Sequence, residues 1–103
     1  MADPMRIRAT IAGDAVVVRV LMSHEMETGQ RKDSSGNLVP AHFIQNVVAK
    51  HNDRTVLEAE WGPAVSKNPY LQFQFKGGKA GDKITIVWTD NKGDTRTDQI
   101  AIP

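Results

Sequence analysis

Cysteine is absent from the 103-residue chain. That single fact excludes a disulfide framework, a thiolate metal site and a cysteine nucleophile. No apolar run approaches the roughly 20 residues needed to span a bilayer. The opening residues, MADPMRIRAT, lack the apolar core of a secretory leader. A large charge of either sign is also missing: 13 Lys and Arg stand against 12 Asp and Glu, a formal net charge of +1. The cations are scattered rather than clustered, so the chain carries no electrostatic footprint for nucleic acid and no basic membrane anchor. What remains is length enough for one domain, residues 1–103. A chain of this size buries roughly two thirds of its unfolded surface without covalent staples.

Period-2 alternation dominates the rest. Met5, Ile7, Ala9 and Ile11 share one face of an extended segment, with Arg6, Arg8 and Thr10 opposite. Gly13-Asp14 punctuates, and the β-branched run AVVVRVLM follows. Leu71, Phe73 and Phe75 alternate with Gln72, Gln74 and Lys76, and Ile84, Ile86 and Trp88 fall in phase after the turn cluster GGKAGD. Asp90-Asn91-Lys92-Gly93 reads as a hairpin turn, leading to a last strand with Ile100 and Ile102 in phase. In AHFIQNVVAKHN, Phe43, Ile44, Val47 and Val48 fit a helical stripe as well as a strand. The company of so many strands favours a hairpin pairing about 42–51 with 55–61. The expectation is an all-β, antiparallel sandwich of about seven strands.

Two stretches carry unusual chemistry. In MSHEMETGQRKD, continued extension would put Met22, His24 and Met26 on one face. Thioether and imidazole together suit Cu(I), and His42 could join them if the chain folds back. A copper-binding module is therefore the alternative reading, although the spacing is not specific to any metal family. Ser23 beside His24 cannot pair with it, since strand neighbours face opposite ways, and Glu25 and Glu27 read as a solvated edge. In GPAVSKNPYLQF, Gly62, Pro63 and Pro69 stiffen a long connection between Trp61 and Tyr70. Loops at the ends of a sandwich commonly bind. KGGKAGDK lacks the spacing of a phosphate-binding loop and reads as a turn. No catalytic residue, metal or cofactor is assigned.

Taken together, MSHEMETGQRKDSSGNLVPAHFI, EWGPAVSKNPYLQFQF and GDKITIVWTDNKGDTRTDQIAI closely resemble the SoxZ family, the small subunits of the SoxYZ sulfur carrier. His24, the run Met26 to Gly29, Arg31 to Asp33, Pro40 to Ile44 and Ser66 to Pro69 carry the likeness. Glu25 departs from it, standing where the family pattern has proline. The resemblance implies an immunoglobulin-like fold and a heterodimer with a SoxY-type subunit, whose C-terminal cysteine bears the sulfur intermediates. It also implies a non-catalytic role in thiosulfate oxidation, transient contacts with SoxAX, SoxB and sulfane dehydrogenase, and a periplasmic location reached with the partner. Met22, Met26, Phe43, Ile44, Trp61, Val65 and Tyr70 are the expected apolar anchors of that interface. His24, Glu27, Arg31, Lys32, His42, Ser66 and Asn68 are its expected polar contacts. Without its partner, the chain is expected to self-associate through the same face.

Overall fold

A computed structural model describes residues 3–103. Seven strands form two antiparallel sheets. They are β1 (Arg6–Ala12), β2 (Ala15–Leu21), β3 (Ile44–His51), β4 (Arg54–Glu60), β5 (Tyr70–Lys76), β6 (Lys83–Asp90) and β7 (Thr95–Ala101). The smaller sheet has the order β1-β2-β5 and the larger β4-β3-β6-β7. The expected all-β sandwich is what the chain adopts. The ambiguous segment is strand rather than helix: β3 pairs with β4 from Asn46↔Glu60 to His51↔Arg54, with an irregularity at Ala49/Lys50.

Alternation explains the core. Val16, Val18 and Val20 of β2 are fully buried, and they face Ile84, Ile86 and Trp88 of β6 within one cluster. Strand side chains alternate between faces, so Arg19 and Leu21 of β2 point to solvent. Ile11 follows the inward phase of β1, pairing with Val16, yet it lies on an edge strand and is 43% exposed. The regular strand also stops at Leu21, earlier than the continuous AVVVRVLM run suggests. Beyond it the chain stays extended enough for Met22, His24 and Met26 still to be buried.

The turn GGKAGD contributes packing as well as reversal. A Cβ on Gly78 would collide with Val16 Cγ2 and come within 3.1 Å of Phe75 Cε2 and 3.3 Å of Ile102 Cδ1. Val16 is fully buried and cannot retreat. Gly78→Ala is therefore expected to destabilise the chain by about 1–3 kcal/mol through overpacking, measurable by urea denaturation. Gly77→Ala reports only backbone strain at φ +91°, since its Cβ would meet nothing.

Candidate site at the loop end

At one end of the sandwich the β2–β3 connection, residues 22–43, folds back on itself as an arm. Glu27 N–H donates to His42 O at 2.6 Å and His42 N–H returns to Glu27 O at 3.0 Å, closing the base. Further out, Val39 N–H donates to Arg31 O at 2.7 Å. The tip is an Asx turn, with Asp33 Oδ1 accepting from Ser35 N–H and Asn37 N–H. Gly29 enables the tight return: its φ is +86°, and an added Cβ would sit 3.1 Å from Ala41 Cβ. Arg31 forks onto Glu27 through Nε and Nη2, the shortest bond being 2.7 Å. That guanidinium holds the Glu27 carboxyl below the usual carboxylate range, and the carboxylate raises Arg31 in turn.

A buried carboxylate joins both legs of the arm to the body. Asp90, the last residue of β6, has a side chain with no solvent exposure. Its Oδ2 accepts from His24 Nε2 at 3.1 Å and from His42 Nε2 at 2.7 Å. Its Oδ1 accepts from Lys92 N–H and Asp94 N–H at the β6–β7 turn. Burial pushes the Asp90 pKa up, but the hydrogen bonds from His24, His42 and the two backbone groups outweigh it, leaving the group below its ordinary value. Neighbouring Asn91 completes the fastening: its Oδ1 accepts from Phe43 N–H and its Nδ2 donates to Ala41 O. Both legs of the arm thus end on a single turn.

His24 has a fixed proton. Its Nδ1 accepts from Met26 N–H at 3.0 Å, so the imidazole hydrogen sits on Nε2 and points at Asp90. The same bond anchors Met26 in a left-handed conformation at φ +51°, unusual for a residue other than glycine. The rings of His24 and His42 stand edge-on at 4.5 Å, and His24 meets the Trp88 indole at 90°. Trp88 Nε1 is the buried side-chain nitrogen without a hydrogen-bond partner among the described residues.

His24, His42 and Asp90 have the composition of a metal site, with one donor atom each inside 4.8 Å. The proton inventory opposes that use. A metal-bound histidine donates through its other ring nitrogen, whereas the other nitrogen of His24 faces a backbone N–H. Nor does the thioether–imidazole set assemble. Met26 Sδ accepts from Ile44 N–H at 3.3 Å, and Met22 is packed in the core at 1% exposure. The cluster is a hydrogen-bonded strut.

The remaining sequence candidates divide by burial. Met22, Met26, Ile44 and His24 are buried; Met22 and Ile44 are sealed in the core, while Met26 and His24 keep 5% and 8% exposure. Alternation puts Met22, His24 and Met26 on one face, and that face turns into the core. Phe43, Trp61, Val65 and His42 are half-buried, while Arg31, Lys32, Ser66, Asn68 and Tyr70 are exposed. Asn68 binds the His24 backbone through Oδ1 and N–H, seating the 62–69 connection against residues 22–24. Sequence reading missed Asp90 as the hub, although Asp at a hairpin start marks an Asx turn. Glu25 is on the surface, its Oε2 3.4 Å from Lys67 Nζ, and the loop's course is held next door by His24.

Solved structures share the fold at low identity. A hypothetical protein from Pyrococcus horikoshii superposes with a TM-score of 0.65 at 18% identity, over 99% of this chain and 89% of its own. A superoxide reductase in its oxidised state gives 0.62 at 16% identity, over 96% and 86%. No curated protein matches. The family model described as sulphur oxidation protein SoxZ matches residues 5–101, nearly the whole chain, and the chain therefore belongs to the SoxZ family.

Proposed function

We propose that this chain is the non-catalytic subunit of a SoxYZ-type carrier in thiosulfate oxidation, acting as one domain. The family match over residues 5–101 carries the reading. Membership already implies a role in sulfur oxidation and a SoxY partner. The finer proposal is that the chain binds and stabilises that partner and helps present its cysteine-bearing arm to SoxAX, SoxB and sulfane dehydrogenase in the periplasm. The lack of any Cys is consistent with this division of labour, because no thiol of this chain competes for the cargo. Among the described residues no helix is long and apolar enough to cross a membrane.

The proposed contact residues are those the fold leaves accessible. Trp61, Val65 and Tyr70 supply apolar area, and Phe43 adds a half-exposed ring at the arm's base. Aromatic anchors of this kind dominate protein interfaces. Glu27, Arg31, Lys32, His42, Ser66 and Asn68 supply polar contacts at the loop end. Arg31 has 59% of its side chain exposed despite its bond to Glu27. Co-expression with a SoxY-type subunit followed by gel filtration tests the proposal. Co-elution at 1:1 is expected, whereas separate elution of two species at micromolar concentration contradicts it.

A further inference from the structure

The two sheets do not match in width, since three strands lie over four. One flank is closed: β1 lies beside β7, and Met5 N–H donates to Asp98 Oδ2 at 2.8 Å across the gap. On the opposite flank, β5 has β2 on one side and no strand on the other among the described residues. There the alternation and the burial disagree. Leu71 and Phe73 pair with Val20 and Val18, which are fully buried, so their side chains face inward. Leu57 and Ala59 pair with Ala49 and Val47 and face inward from β4. Yet all four are only half-buried, as is Trp61 just beyond β4. Inward-facing apolar residues stay half-exposed when the layer that should cover them is missing a strand.

The edge itself is guarded only at its two ends. Natural edge strands carry charges, prolines or bulges against unwanted pairing. β1 has Arg6 and Arg8, β4 has Arg54, Glu58 and Glu60, and β7 has Arg96 and Asp98. β5 has Pro69 just before it and a single charge, Lys76, at its last position; the six residues between, YLQFQF, are uncharged. Its backbone groups on that side present an open ladder.

We propose that the outer edge of β5 accepts a strand from the partner subunit, completing the smaller sheet. This deepens the partner-binding reading and rests on it. Neighbouring strands lie roughly 4.8 Å apart and packed sheets roughly 10 Å apart. A strand added there would therefore lie over β4, with every second side chain falling on Leu57, Ala59 and Trp61. The occupant is accordingly an extended segment of about five to seven residues. It is apolar at alternate positions toward the flank and uncharged where it lies beside Gln72 and Gln74. Backbone bonds would supply affinity and the alternate side chains specificity, the logic of strand addition.

Amide hydrogen exchange on the full chain, alone and with a SoxY-type subunit, tests this. Alternate amides between Tyr70 and Phe75 should slow at least tenfold in the complex, while those of the β1 edge stay unchanged. Leu71→Lys, at a half-exposed site where the ammonium can reach water, should weaken the complex at least tenfold and leave the isolated chain folded. A complex that forms without protecting β5 overturns the strand addition and leaves partner binding intact. Absence of any complex overturns both. A dimer of the isolated chain that already shows the same protection assigns the edge to a second copy and overturns the partner assignment.

Discussion

Asp90→Asn is expected to destabilise the chain by about 2–4 kcal/mol, the range for breaking a buried charge-assisted network. In a domain of this size that lowers the melting temperature by roughly 10–20 °C. The wild-type carboxylate accepts from both imidazoles and from two backbone N–H groups. An amide keeps one acceptor oxygen but turns an NH2 group toward two N–H donors. His24 cannot relieve the conflict by changing tautomer, because its Nδ1 is committed to Met26 N–H. Loss of the strut should loosen the arm at both legs, read as faster exchange at the Glu27 and His42 amides.

The same variant changes the acid limb. A depressed carboxyl stabilises the fold above its unfolded pKa, and that stability is lost as pH falls through the lower folded value. Asp90 is depressed, as are Asp82 beside His51 and Asp98 beside Arg96. Wild-type stability should therefore fall below the ordinary carboxylate range of about 4. Asp90→Asn should flatten part of that fall, with Asp82, Asp98 and Glu27 retaining the rest. A denaturation series from neutral pH to acid separates the two contributions. An unchanged acid slope in the variant would show that Asp90 does not contribute to it.

Trp88→Ala should be comparably damaging, at about 3–5 kcal/mol for a large buried aromatic. The indole is 1% exposed, sits among the inward valines and isoleucines, and walls the strut through its edge-on contact with His24. Trp88→Phe separates packing from polarity. It shrinks the ring but removes the buried Nε1–H that has no partner, so its expected cost stays below about 1.5 kcal/mol. Equal losses in the two variants, measured by urea unfolding, would contradict this division.

How far the sequence could be read follows from these residues. Alternation at Val16, Val18 and Val20 and at Ile84, Ile86 and Trp88 has one solution, a two-sheet core, and the strands were legible from it. The β3 segment is less plain, because Phe43, Ile44, Val47 and Val48 also fit a helical stripe; the hairpin with 55–61 that the neighbouring strands favour is the one formed, with β6 on the other side. Met22, His24 and Met26 were correctly placed on one side but their purpose was not visible. Whether such a side meets metal, partner or core depends on what folds over it, and here the arm does. In the sequence Asp90 reads only as a turn residue, since its histidine partners lie 66 and 48 positions away. Separations that long are set by topology and leave no local pattern.

We propose above that this chain works as one half of a carrier. Sedimentation equilibrium of the purified chain mixed with a SoxY-type subunit tests it most directly. A single species with the summed mass of one copy of each is expected, persisting at micromolar concentration. Two species at their separate masses under the same conditions would contradict it.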